Sequence, residues 1–212
     1  LPASLAKVRR AAALFAELGA HVLCTAVVVD DGWSPRVELS EAEWDQLLAA
    51  FPLVDAAAAE HGVIQALHPH WGTLIERDAD LQRLLAGSQV RLCLDTGHLA
   101  LGGADALDVA RRHPSRVAHV HLKDVDAALA RRLRGGEIAF VEAVQAGLFS
   151  PLGTGDARIR EVVSALEAAG YSGWYVLEQD ISLDTRGGEE PAEAVRHSIE
   201  FLRQLAATTN GG

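Results

Sequence analysis

A chain of 212 residues is long enough for one domain with a substantial core, and length alone does not call for two. Its net charge of −10, with 49% hydrophobic and 23% charged residues and a mean hydropathy of +0.10, is ordinary globular composition. The acidic balance argues against a nucleic-acid backbone as partner, and no apolar segment approaches the length of a membrane span.

The opening residues LPASLAKVRRAAALFAELGA read as an amphipathic helix over Ser4–Leu18, stopped by Gly19. Glu17 breaks the apolar stretch, so this is not a signal peptide, and a cytoplasmic protein is expected. The chain has no Met and starts at Leu1, which implies a native start elsewhere. HVLCTAVVV (His21–Val29) is a continuous β-branched run of the kind buried on both faces of a parallel sheet. After the loop DDGWSPRVE, Ser40 and Glu43 form a capping box for a helix reaching about His61. VIQALH then predicts a strand ending at His68, followed by a helix over Asp78–Ala86 and a strand over Val90–Asp95. Cys24 and Cys93 both lie inside such apolar runs and read as small buried hydrophobes, not a disulfide or a metal pair, in keeping with a reducing cytoplasm.

A helix over Ala104–Arg112 ends near Pro114, and VAHVHL predicts a strand over Val117–Leu122. The stretch Asp126–Gly155, with its basic cluster Arg131, Arg132 and Arg134, breaks the rhythm; it reads as either a solvated surface excursion or a substrate-covering lid. A helix over Asp156–Ala169, the strand WYVLEQD (Trp174–Asp180), a helix over Glu189–Ala206 and a frayed TTNGG tail complete a single domain. Strands each followed by helices imply an α/β fold with a parallel sheet, either an open doubly wound sheet or a closed barrel. No glycine-rich phosphate loop follows the first strand, which weakens a dinucleotide-binding version.

The positions of the polar residues favour the barrel, whose chemistry gathers at the C-terminal ends of the strands. Predicted strands end in His68-Pro-His70, Asp95-Thr-Gly-His98 and Glu178-Gln-Asp180, and another carries His119 and His121 before Lys123 and Asp124. Scattered surface histidines would not concentrate in this way. Plain structural roles compete with chemical ones: Asp95 can cap the next helix, His119 can be a satisfied core histidine, and Lys123 and Glu76 can sit at the surface. An unpaired buried carboxylate at Glu178 would be costly unless a cation answers it. Converging Asp, Glu and His side chains are suitable ligands for Mn²⁺ or Co²⁺, with Mg²⁺ and Zn²⁺ as alternatives.

The segments HPHWGTLIE, CLDTGHLALGGAD, RVAHVHLKDVD, FVEAVQAGLFSPLGTGD and WYVLEQD closely resemble the inosose dehydratase (2-keto-myo-inositol dehydratase) family. That family belongs to the xylose isomerase-like superfamily of sugar isomerases and epimerases. The resemblance runs from about Ala11 to Asp180 and implies a (β/α)₈ TIM barrel here lacking about its first three β/α units. It implies a divalent metal on Asp95, His121 and Glu178; in the fourth position, where the sugar epimerases carry a strand-ending Glu, this chain departs from the pattern with His68, and His70 or Glu76 are substitutes. It further implies a polyhydroxy ketone substrate and Glu178 as the base; His98 and Lys123 are candidates for holding or protonating substrate oxygens, and His70 and His119 for substrate contacts. The implied reaction is dehydration by removal of the α-proton and loss of the β-hydroxyl. Keto-sugar isomerisation or epimerisation is the alternative enzyme reading, and a degenerate barrel acting as a binding protein is the non-enzymatic one. No nucleic-acid or membrane partner is expected, and a homo-oligomer is left open.

Overall fold

Ser40 and Glu43 form the capping box read from the sequence. The Ser40 hydroxyl accepts from Glu43 N, and the Glu43 carboxylate accepts from Ser40 N at 2.8 Å, starting the helix Glu41–Ala59. The computed structural model describes residues 1–30, 35–182 and 191–209. Part of the DDGWSPRVE loop (31–34), the expected start of the last helix at Glu189 and the last three residues of the TTNGG tail lie outside the described residues. The chain divides into two compact units, Leu1–Leu94 with Ser115–His119, and Asp95–Pro114 with Val120–Gly212.

The first unit holds α1 (Pro2–Glu17), β1 (Val22–Thr25), α2 (Glu41–Ala59), β2 (Ile64–Leu67), α3 (Asp78–Gly87) and all but the last residue of β3 (Arg91–Asp95). β1 and β2 run parallel from Val22 opposite Ile64 to Thr25 opposite Leu67, and β2 runs parallel to β3 with Leu67 opposite Leu92. Ala12, Leu23, Ala58 and Val63 form a buried cluster against which Val8, Ala11 and Phe15 pack. The amphipathic face of α1 thereby covers the start of β1. The β-branched run predicted to Val29 leaves the strand after Thr25, where its partner β2 also ends. Val27 O then accepts from Leu74 N at 2.8 Å, a contact with a loop and not with the sheet.

The second unit opens with α4 (Thr96–Gly102) and α5 (Ala106–Arg112), where the sequence predicts one helix starting near Ala104. Gly103 in the left-handed conformation (φ 83°) ends α4, and the Asp105 carboxylate caps α5 through Leu107 N. β4 (Val117–Leu122) enters this unit at Val120 and matches the predicted strand residue for residue. The remaining elements are β5 (Asp124–Val125), α6 (Ala127–Arg134), α7 (Phe140–Gln145), β6 (Phe149–Ser150), α8 (Ile159–Ala168), β7 (Tyr175–Leu177) and α9 (Pro191–Thr209). β4 and β7 are parallel, with His121 opposite Val176, and β5 and β6 are antiparallel.

The irregular stretch after Asp126 therefore holds two helices, α6 and α7, and the strand β6, which returns antiparallel to β5. Asp126 caps α6 through Ala128 N and Leu129 N, and Arg134 donates to the carbonyls of Ala100 and Leu101 at the end of α4. One member of the basic cluster thus satisfies helix-terminal carbonyls, which a cation does well. Among the described residues no helix is long and apolar enough to cross a membrane.

Candidate active site

β3, β4 and β7 each deliver a polar side chain at or just beyond the last strand residues. Asp95 ends β3, His121 is the penultimate residue of β4, and Glu178 follows β7, its N–H donating to Leu122 O at 3.0 Å. His121 Nδ1 lies 3.2 Å from Glu178 Oε1 and 3.6 Å from Asp95 Oδ2. One ligand atom from each of these three residues falls within 4.8 Å of the other two. Two carboxylates and an imidazole in that arrangement could hold a hard or borderline divalent cation.

Asp95 is fully buried and divides its two oxygens between tasks. Oδ1 accepts from Gly97 N at 2.8 Å and His98 N at 2.9 Å, capping α4, while Oδ2 faces His121 and Lys123. The capping and chemical readings of this residue are both realised, because a carboxylate has acceptor sites for each.

Lys123 is 2% exposed, not a surface lysine. Its Nζ lies 3.1 Å from Glu178 Oε2, 3.1 Å from Asp180 Oδ2 and 3.9 Å from Asp95 Oδ2, and it donates to His98 Nε2 at 3.1 Å. Burial alone would lower its pKa, but the Asp95, Asp180 and Glu178 carboxylates outweigh it and raise the pKa above the ordinary lysine value. The group therefore keeps its proton at neutral pH and can donate. Because the ammonium donates to Nε2, a neutral His98 carries its proton on Nδ1. The Lys123 ammonium also sits 5.2 Å from the centre of the Phe149 ring.

The backbone around Lys123 is fixed on both sides. Thr96 Oγ1 donates to Lys123 O at 2.8 Å and accepts from Lys123 N at 2.9 Å. A β-carbon on Gly97 would stand 2.7 Å from Lys123 Cγ, 2.8 Å from its Cβ and 2.9 Å from its Cδ. Gly97→Ala must therefore push the lysine stem from its seat, and we expect a loss of about 1–3 kcal/mol. Chemical denaturation checks this; a variant within error of the parent would show that the Gly97 contact does not set the position of Lys123.

In the first unit, His68 N donates to Thr25 O at 2.7 Å, and the His68 and His70 rings meet edge to face at 5.1 Å. His70 Nδ1 is 2.7 Å from Trp71 O, so its proton belongs on Nδ1. Glu76, for which the sequence allows a surface position or a fold back along its loop, is 8% exposed: its carboxylate accepts from Gly72 N at 2.6 Å. His119 is half-buried on the part of β4 belonging to this unit. The second unit thus brings together Asp95, His98, His121, Lys123 and Glu178, while His68, His70, His119 and Glu76 are placed in the first.

Asp180 and Thr96 are the site residues that sequence reasoning left without a role. The alternation Glu178-Gln179-Asp180 carries a signal for Asp180, since residues two apart on an extended segment face the same way.

The xylose isomerase-like TIM barrel family model matches residues 2–205 of the chain. An inosose dehydratase of Geobacillus thermodenitrificans is 40% identical over 144 residues, 66% of this chain and 48% of that protein. The rhizopine catabolism protein MocC of Rhizobium meliloti is 36% identical over 149 residues, 69% of this chain and 46% of that protein. The chain thus spans about half the length of the curated relatives it matches. A solved L-ribulose 3-epimerase superposes with a TM-score of 0.70 at 18% identity, covering 97% of this chain and 68% of the epimerase. With parallel strands, intervening helices and acidic and imidazole groups at the strand ends, the chain belongs to the xylose isomerase-like TIM barrel family.

Proposed function

We propose that this chain carries the reaction centre of a metal-dependent dehydratase acting on 2-keto-myo-inositol or a close polyhydroxy ketone. The observation that carries the reading is the convergence of Asp95, His121 and Glu178 on one point beside the buried Lys123. The relatives described as inosose dehydratases support the substrate class. Asp95, His121 and Glu178 would hold Mn²⁺ or Co²⁺. When bound, such an ion supplies a Lewis acid that polarises the ketone oxygen and eases loss of the neighbouring proton.

Glu178 has the access a base needs, with one third of its side chain exposed while Asp95 has none. Its carboxylate takes the α-proton, and the electrons of that C–H bond become the new carbon–carbon double bond. The β-carbon–oxygen bond breaks, and the departing hydroxyl takes a proton from Lys123 to leave as water. His98, hydrogen-bonded to the same ammonium, steadies the donor. The burial of Lys123 and His98 keeps bulk water from competing for the transferred proton.

The test is direct. The full-length protein, loaded with Mn²⁺ or Co²⁺ and incubated with 2-keto-myo-inositol, should develop the ultraviolet band of a conjugated enolic dione, and chelator should abolish it. Proton exchange or interconversion of keto sugars without that band would instead assign an isomerase or epimerase to the same residues.

A further inference from the structure

We infer that Asp180 is a positioning residue for Lys123, holding the ammonium so that it does not occupy the place of the divalent cation. The inference rests on the metal site proposed above and concerns how this chain keeps two positive charges apart. Lys123 Nζ contacts Glu178 Oε2 and Asp180 Oδ2 equally, at 3.1 Å each, and stands 3.9 Å from Asp95 Oδ2. Two of these carboxylates, those of Asp95 and Glu178, also offer ligand atoms in the trio with His121. Asp180 stands outside that trio. Without a counter-charge of its own, a lysine 2% exposed would rest on Glu178 and compete for the oxygens a cation needs. Asp180, half exposed at its outer side, gives the ammonium a partner on the solvent side of the cluster.

Asp180 therefore acts on the cation through Lys123, and the test is a thermodynamic cycle read by Mn²⁺ binding to the full-length protein. By titration calorimetry or Mn²⁺ electron paramagnetic resonance, Asp180→Asn should weaken binding about tenfold, the scale of outer-partner effects on metal sites. Asp180→Glu, which keeps the charge, should bind within about threefold of the parent. Lys123→Met should bind Mn²⁺ more tightly than the parent, and adding Asp180→Asn to it should change affinity by less than about threefold. Equal losses in the two backgrounds would mean that Asp180 acts on the ion directly, and no loss in the parent background would remove its role; either result overturns the inference while leaving the metal site standing. A parent protein that binds no Mn²⁺ overturns the metal reading itself. Should Lys123→Met fail to fold, the side-chain ¹⁵N resonance of Lys123, one of two lysines in the chain, supplies the second readout. It should shift when Mg²⁺ is added to the parent and shift differently in Asp180→Asn; the same response in both proteins overturns the inference.

Discussion

Asp95→Ala is expected to abolish Mn²⁺ binding and with it the proposed dehydratase activity, whereas Asp95→Asn should lose the metal but keep most of the fold. The difference follows from the divided labour of the carboxylate. Alanine removes both oxygens, so Gly97 N and His98 N lose the acceptor that caps α4, at a cost of about 1 kcal/mol, and Lys123 loses one of its three carboxylates. Asparagine can keep its carbonyl oxygen in the capping position while placing a neutral amide where Oδ2 faces His121. Removing a direct ligand should weaken Mn²⁺ by more than the roughly 10–100-fold that outer partners contribute. His121→Ala should match it, since it deletes the nitrogen lying between the two carboxylates. Metal content measured beside thermal stability separates the effects: Asp95→Asn with parental metal content would sink the proposed site, however stable the protein proved.

Much of this arrangement is legible in the sequence because it is encoded locally. The alternation of apolar runs with helical periodicity locates the elements, and VAHVHL marks β4 with both ends correct, since Pro114 before it and Lys123 after it interrupt the apolar alternation. The Ser40–Glu43 capping box is likewise a contact between near neighbours. What escapes the sequence depends on partners distant in the chain. HVLCTAVVV has strand propensity throughout but stops at Thr25 because β2 offers no further pairing, a fact of register and not of composition. The sequence leaves Lys123 between a surface lysine and a substrate contact until Asp95, Asp180 and Glu178, drawn from two other segments, are seen around its ammonium. Glu76 is buried by the turn of its own loop, which the residue types do not announce. Charged groups are thus the hardest to place from sequence: their burial is favourable only when the compensating charges or donors arrive, and those arrive through tertiary structure.

Asp124 shows the same dependence with the largest consequence for stability. Its carboxylate is 1% exposed and accepts four backbone N–H bonds: Oδ1 from Val125 and Ala157, both at 3.0 Å, and Oδ2 from Gly153 at 2.8 Å and Gly155 at 3.0 Å. The PLGTGD loop is thereby wrapped around one side chain, and there is no room beside it, since a β-carbon on Gly155 would lie 2.5 Å from Asp124 Oδ1. We expect Asp124→Ala to cost about 3–4 kcal/mol, because hydrogen bonds to a charged acceptor contribute about 1.5–3 kcal/mol each and water can reach part of the vacated loop. For a protein of this size that is a fall in Tm of roughly 10 °C. Asparagine should not rescue the variant. Either orientation of its amide turns an NH₂ toward two backbone N–H donors, exchanging two attractions for two repulsions in a buried site. Asp124→Asn should therefore be about as unstable as Asp124→Ala, although an isosteric change is usually the milder one. Chemical denaturation of the pair decides it: an asparagine variant within about 1 kcal/mol of the parent would mean that the carboxylate's shape, not its acceptor capacity, holds the loop. Because Asp124 directly follows Lys123, the loss should also reach the site, with Mn²⁺ affinity falling in the folded variant as the ammonium loses its fixed seat.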